Sequence, residues 1–317
     1  MRYRDFLGRK ASVLVMGCGG YGMSTSQMQT NEFLDAYAQM GGNFLDTARI
    51  YGDIPNEVFG ISERAVGNWI AARHNRDELV IGTKGGHPSV RSMNVGRLDK
   101  DSLTKDIYES LNDLMIDNVD IYWLHRDDVT RPVGDILETL NTFISDGLTK
   151  NIGVSNWTPA RIREANEYAK KHDMVGFAAN QPQFSLARQD LVEDPTLYQM
   201  DPEMYAMHVE TGMPCVPFSS QAKGFFIKYH DNGPDSMPDK AKRRFLTDYN
   251  MEIYDKLVKL SAETGYSVGA LSLAYLTCNK FDVFPIVGVS KMAQVEALRE
   301  AGDAMITLEQ ALDLRSL

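Results

Sequence analysis

Val119-Asp120-Ile121-Tyr122-Trp123-Leu124 is a short apolar run of strand character that stops abruptly at a polar residue, His125. On its N-terminal side lies Leu103–Leu114, where Leu103, Ile107, Leu111 and Leu114 recur at helical spacing and form one apolar stripe. On its C-terminal side Ile136–Ile144 reads as another amphipathic helix. A strand between two helices, itself apolar on both faces, is the pattern of a buried parallel strand with helical crossovers.

Working outward, the same unit recurs along the chain. Further strand-like runs are Val13–Met16, Asn43–Leu45, Leu79–Ile81, Asn151–Val154, Gly176–Ala179, Cys215–Phe218 and Val283–Val287. Helical stretches at Glu32–Met40, Pro159–Lys171, Tyr249–Glu263 and Val268–Thr277 continue the alternation. About eight such repeats in 317 residues predict an α/β fold, an eight-stranded parallel β/α (TIM) barrel. No Pro/Gly/Ser-rich linker divides residues 1–317, so a single domain is expected.

In such a barrel the chemistry belongs where strands end. The polar residues that follow the runs are Gly19-Gly20, Asp46, Lys84, His125, Ser155-Asn156, Asn180-Gln181, Ser219-Ser220 and Gly288. One early stretch competes with this reading. Gly17-Cys18-Gly19-Gly20-Tyr21-Gly22 matches the G-x-G-x-x-G of a doubly wound dinucleotide fold. There the glycines lead straight into a helix, whereas the polar stretch Met23–Thr30 delays it here, with an N-cap expected at Thr30 or Asn31. The stretch reads better as a glycine turn in a barrel loop that can also approach a cofactor.

Composition narrows the classes. The chain is 43% hydrophobic and 24% charged, with a net charge of -10, which excludes a broad nucleic-acid-coating surface but not a local basic pocket. Cys18, Cys215 and Cys278 are scattered and odd in number, which suggests reduced thiols with neither a disulfide framework nor a metal site. Met1–Phe6 is charged and no apolar run nears the roughly 20 residues that span a bilayer, so the cytoplasm is expected, with no membrane role. Oligomeric state is left open.

Several segments together resemble the aldo-keto reductase superfamily. Asn43–Gly52 is similar to its Asp-Thr-Ala…Tyr-Gly signature, Ile81–Lys84 to its Thr-Lys strand end, and Val119–His125 to its strand ending in Leu-His. Gly153-Val154-Ser155-Asn156, Asn180-Gln181, Phe218-Ser219 and Pro285–Gly288 follow in the family's order, so the resemblance covers nearly the whole chain.

The chemistry is coherent without the name. Carbonyl reduction needs a proton at oxygen as hydride reaches carbon, and a phenol, with a reference pKa of about 10, donates poorly near neutrality unless helped. A neighbouring ammonium helps it, and a carboxylate holds the ammonium in place. Tyr51 is therefore expected as general acid in reduction and base in oxidation, Lys84 as its tuner, Asp46 as the partner of Lys84, and His125 as the group that orients the carbonyl. The resemblance implies the same roles. Singly, each residue has a structural reading: a packed tyrosine, a structural histidine, a buried ion pair.

The resemblance also implies NAD(P)(H) as cofactor. It places Ser155, Asn156 and Gln181 at the nicotinamide carboxamide, Phe218 against its ring, and Ser219, Gln221 and Lys223 along the pyrophosphate, with Gly19, Gly20, Asp46, Gly288, Ser290 and Gln294 completing the site. For Ser155 and Asn156 the alternative is helix capping, a task for which Thr158, before Pro159, is better placed. Where the family has a basic residue for the 2′-phosphate, this chain has Gln294, and Leu298 stands where an Asn is expected. NADH is therefore plausible.

Arg126-Asp127-Asp128 puts three charges at the expected pocket mouth. With Tyr21, Arg49, Trp157 and the segment Arg188–His208 it suggests a polar carbonyl substrate such as a sugar or sugar acid, with Tyr21, Tyr51, His125, Arg126 and Trp157 around it. A solvated loop ion pair is the other reading. Two rival functions stand beside the reductase: a Schiff-base aldolase using Lys84, and a nicotinamide-binding sensor or regulatory subunit with slow turnover.

Overall fold

A computed structural model describes residues 1–189 and 194–315. A hairpin of β1 (Tyr3–Phe6) and β2 (Arg9–Ser12) precedes seven parallel strands: β3 (Val15–Gly17), β4 (Phe44–Asp46), β5 (Val80–Gly85), β6 (Ile121–Leu124), β7 (Ile152–Ser155), β8 (Ala179–Gln181) and β9 (Ile286–Gly288). Their order is β8-β7-β6-β5-β4-β3-β9, a curled parallel sheet with helices between successive strands. The expected run Cys215–Phe218 is not a regular strand, because Pro214 and Pro217 offer no N–H to a ladder. It still closes the gap between β8 and β9. Val216 N donates to Asn180 O at 2.9 Å, Cys215 N to Asp282 O at 2.9 Å, Phe284 N to Cys215 O at 2.8 Å and Ile286 N to Pro217 O at 2.9 Å.

Two apolar clusters follow from this layout. The larger lies between the sheet and the surrounding helices and takes the stripe Leu103, Ile107, Leu111 and Leu114. The smaller gathers Val15, Phe44, Val80, Ile121, Trp123, Ala179, Val216 and Phe284 from successive strands inside the barrel, with Phe6 and Ala11 of the hairpin. Phe6 packs with its ring centroid 4.7 Å from that of Phe44 and 5.2 Å from that of Phe284, so the hairpin plugs one end of the barrel. Trp123 is accommodated because Gly153 and Gly82 flank it on the neighbouring strands. A Cβ on Gly153 would come within 2.5 Å of the indole.

The first long helix corrects one expectation. It begins at Gln27, with Ser26 as N-cap in a reciprocal capping box with Gln29, rather than at Thr30 or Asn31. Thr158 does cap Pro159–Lys171, accepting from Arg161 N. The helix Ile61–Arg73 was not legible, since its apolar positions carry little periodicity and Gly67 interrupts them. Among the described residues no helix is long and apolar enough to cross a membrane.

Candidate active site

The strands deliver polar residues to one end of the barrel. Asp46 ends β4, Lys84 is the penultimate residue of β5, His125 follows β6, and Ser155, Gln181 and Gly288 end β7, β8 and β9. Between them opens a cavity of about 1080 Å³, lined by Asp46, Tyr51, Lys84 and His125 at the barrel end. It runs past Ser155, Gln181 and Phe218 to Gly288–Ser290 and the helix Met292–Asp303.

Lys84 is buried and donates to Asp46 Oδ2 at 2.5 Å and to Thr47 O at 2.7 Å. Burial opposes the ammonium, but the facing Asp46 carboxylate, followed by the oxygen of Tyr51, prevails and holds its pKa above the usual lysine value. The Nζ atom lies 5.1 Å from the Tyr51 ring centroid. Tyr51 in turn meets His125 edge to face, with ring centroids 5.9 Å apart. Burial, followed by His87, Lys84 and Arg126, drives the His125 pKa well below that of free histidine, so the imidazole is neutral. Its Nδ1 is buried with no protein partner among the described residues.

The backbone beneath Tyr51 is fixed by ionic contacts. Arg49 Nη1 lies 2.7 Å from Asp113 and 3.4 Å from Glu63, and its Nε is 2.9 Å from Glu109. Glu63 also accepts from Thr83 Oγ1 at 2.6 Å, and Arg49 N donates to Lys84 O at 2.9 Å. Arg49 is thus part of the scaffold that joins the Tyr51 loop to the Lys84 strand. That replaces its expected place at the substrate mouth.

Around the next strand ends, Gln181 Nε2 donates to Asp46 Oδ1 at 2.8 Å, while Gln181 Oε1 is buried without a partner among the described residues. Ser155 Oγ donates to Gln181 O at 2.8 Å. Asn156, in the left-handed region at φ 65°, is committed at both ends of its amide. Its Nδ2 donates to His125 O at 3.1 Å, and its Oδ1 accepts from Tyr198 N at 3.1 Å.

Every residue expected to bind the cofactor lines this one cavity: Gly19, Gly20, Asp46, Ser155, Asn156, Gln181, Phe218, Ser219, Gln221, Lys223, Gly288, Ser290 and Gln294. Gly19 lies against the Tyr51 ring, where an added Cβ would sit 3.5 Å away. Ser219, Ala222 and Lys223 all have positive φ, so the loop after Phe218 is a run of tight turns. Gln294 Oε1 accepts from Ser290 N at 2.7 Å and from Lys291 N at 3.1 Å.

The expected substrate group divides. Tyr51, His125 and Arg126 line the cavity, and Tyr21 and Trp157 do not. Tyr21 is buried beside Phe33, at 6.4 Å between centroids, and Trp157 is buried 5.1 Å from Phe177, so both rings are turned into the core. Arg126 is buried and tied to His125 O at 2.8 Å, Thr196 Oγ1 at 2.9 Å and Asp194 at 3.5 Å. Asp127 pairs with Arg161 at 3.3 Å and Asp128 accepts from Thr130 Oγ1 at 2.6 Å, so these two charges serve the loop. Of the segment Arg188–His208, residues 190–193 lie outside the described residues.

Sequence reasoning missed His87, whose ring is 4.7 Å from that of His125. It also missed the distal wall, which includes Val268, Gly269, Ala270, Ala293 and Ala297. Small apolar residues on helices carry no chemical signature, and His87 sits three residues past Lys84 in a Gly-rich turn. Ser220, one residue beyond the expected Ser219, ties the loop to β9 through Ile286 O at 2.5 Å.

Comparison with known proteins gives a consistent result. The sequence model of the Aldo/keto reductase family matches residues 13–317. An aryl-alcohol dehydrogenase of Pestalotiopsis microspora is 29% identical over 306 residues, covering 93% of this chain and 74% of its own. A norsolorinic acid reductase of Emericella nidulans is 28% identical over 275 residues, covering 83% and 65%. A putative aryl-alcohol dehydrogenase of Saccharomyces cerevisiae is 27% identical over 330 residues, covering 98% and 84%. A thermostable aldo-keto reductase solved with the inhibitor epalrestat superposes with a TM-score of 0.74 at 21% identity, over 100% of this chain and 99% of that one.

Proposed function

The chain belongs to the aldo/keto reductase family, and on that premise we propose that it interconverts a polar carbonyl compound and its alcohol, with Tyr51 moving the proton. The observation that carries this reading is the contact chain Asp46–Lys84–Tyr51, with Lys84 Nζ 2.5 Å from the carboxylate and 5.1 Å from the centroid of the phenol ring. The ammonium stabilises the negative charge that grows on the phenol oxygen as its proton leaves. Asp46, itself held by Gln181, keeps the ammonium charged and aimed. His125, neutral and beside Tyr51, offers a hydrogen bond to the carbonyl oxygen without competing for the proton.

A nicotinamide dinucleotide fits the residues present. The orphaned Gln181 Oε1 suits a carboxamide N–H, and Phe218 offers a ring face at the same part of the cavity. Ser155 and Asn156 would frame the carboxamide. Ser219, Gln221 and Lys223 would hold the pyrophosphate. When bound, the dinucleotide supplies or accepts the hydride.

The distal end supports a dual or NAD(H)-leaning preference. Gln294 presents a carbonyl oxygen to the two backbone donors at the start of Met292–Asp303, and these are the groups a phosphate would otherwise take. Polar side chains at the reacting end support a polar substrate such as a sugar derivative, and three free cysteines fit a reducing cytoplasm. Steady-state assays with NADH and NADPH over a panel of aliphatic, aromatic and sugar carbonyls test the reading. Turnover of a polar carbonyl with NADH is expected. A catalytic efficiency with NADPH tenfold or more above NADH would remove the cofactor preference, and exclusive use of apolar aromatic carbonyls would remove the polar substrate.

A further inference from the structure

The barrel carries a second cavity at the end opposite the active site. Its volume is about 490 Å³, within the range of small-molecule sites. Arg76 lies in the turn that leads into β5, Lys150 stands two residues before β7, and Arg9 reaches in from the hairpin. The helices Ile61–Arg73 and Lys100–Leu114 end on the same cavity and bring Ile70, Met115 and Ile116 to it. Cationic donors and apolar side chains thus line one space that the hydride-transfer scheme does not use.

The three cations converge on one carboxylate. Asp120, 2% exposed, holds Lys150 Nζ at 2.8 Å, Arg76 Nη2 at 3.0 Å and Arg9 Nη1 at 3.9 Å, and accepts from Ile81 N at 2.9 Å. These contacts fix the cations without matching their number. The helix C-caps His74 and Met115 also line the cavity. Each helix end adds about half a negative charge, so Asp120 and the two ends leave about one positive charge over. Asp77 and Asp117 line the cavity as well, but both are exposed and screened by water, and neither is in an ion pair among the described residues.

Open donors remain. Among the described residues, Lys150 Nζ makes its one hydrogen bond to Asp120. The Nη atoms carry all the side-chain hydrogen bonds of Arg9 and Arg76, so neither Nε–H has a protein partner. The side chains of Arg9, Arg76 and Lys150 are 33%, 21% and 45% exposed, so a ligand can reach them. A phosphate brings three acceptor oxygens to three cations, one more than a carboxylate offers.

We propose that this cavity binds a phosphate monoester, its phosphate on Lys150, Arg76 and Arg9 and its uncharged body against Ile70, Met115 and Ile116. The inference is independent of the reductase reading, because none of these residues lines the active-site cavity.

The test is titration calorimetry of the whole chain in saturating NADH, which keeps phosphate compounds out of the nucleotide cavity. Glycerol 3-phosphate, AMP and inorganic phosphate are the probes. One site is expected, with a Kd of about 1 mM or tighter for at least one ester and weaker binding of inorganic phosphate. The tighter ester identifies whether a small polyol or a nucleoside carries the phosphate. Lys150→Gln and Arg9→Gln should each weaken ester binding about tenfold, the scale of one charge-assisted hydrogen bond. Lys223→Gln, in the loop after Phe218, should leave it within about twofold on the same scale. Binding of neither ester below about 10 mM, inorganic phosphate as tight as both esters, or a loss in Lys223→Gln but not in Lys150→Gln overturns the proposal. Wild type gives a second readout that no misfolded variant can spoil. The ester should shield Lys150 from amine acetylation and leave Lys105, 69% exposed on another helix face, reactive; unchanged labelling of Lys150 overturns the site. If NADH does not bind, the reductase reading fails, while the comparison of Lys150→Gln with Lys223→Gln still decides this one.

Discussion

Replacing Gln294 with arginine should move cofactor preference towards NADPH, by an amount the local geometry sets. Gln294 Oε1 now accepts from Ser290 N at 2.7 Å, Lys291 N at 3.1 Å and Ser290 Oγ at 3.2 Å. The substitution releases those donors and brings a guanidinium to the start of a helix, where an anion is already favoured. A charge-assisted hydrogen bond contributes about 1.5–3 kcal/mol. The site is solvent-exposed, so the lower end applies, about 1.5 kcal/mol or a little over tenfold in Kd. Losing the glutamine cap costs about 0.5–1 kcal/mol of stability, about 1 °C in Tm for a chain of this size. The assay is quenching of protein fluorescence on titration with each nucleotide at two salt concentrations. The ratio of NADPH to NADH affinity should rise about tenfold at low salt and less at high salt. A ratio that moves by less than about threefold would show that Gln294 does not decide the 2′ position.

Two further outcomes concern the scaffold. Arg49→Met leaves Glu63 buried beside Thr83 without its cation and should cost about 3 kcal/mol in urea unfolding; a cost below about 1 kcal/mol would mean the Arg49 contacts do not hold the Tyr51 loop. His208 is buried, with Nδ1 2.7 Å from Met213 O and Nε2 3.2 Å from Asn180 Nδ2. Burial lowers its pKa from 6.5 to about 4. Between those values the unfolded chain binds more protons, so stability is whole above pH 6.5 and declines as pH falls towards 4, by about 3 kcal/mol in total. His208→Gln should flatten that part of the stability profile, and an unchanged slope would reject the assignment.

The barrel was legible because its strands are short apolar runs that stop at polar residues, and that one signal located Asp46, Lys84, His125, Ser155 and Gln181 together. The eighth stave was read as a strand, but proline denies it a regular ladder. Cys215–Phe218 has the composition of a strand and the position of one, yet Pro214 and Pro217 leave it only isolated bonds to its neighbours. Tyr21 and Trp157 were expected at the mouth, but ring direction is decided by packing against Phe33 and Phe177, which spacing does not encode. Arg49 misled in the same way, since its carboxylate partners come from two helices, Glu63 from the next one and Glu109 and Asp113 from one far along the chain. The Gly17–Gly22 stretch, which suggested a different nucleotide fold, instead brings Gly19 against Tyr51 inside the common cavity.

The central claim is that the Tyr51 hydroxyl carries the proton, and single-turnover transfer of hydride from bound NADH to a carbonyl substrate in Tyr51→Phe tests it most directly. The substitution removes one oxygen and keeps the ring that packs on Gly19 and His125. Nucleotide affinity should stay within about twofold while the hydride-transfer rate falls at least a hundredfold, the lower bound for losing a positioned general acid. A phenylalanine variant that passes hydride from NADH to the carbonyl at the wild-type rate would contradict the account.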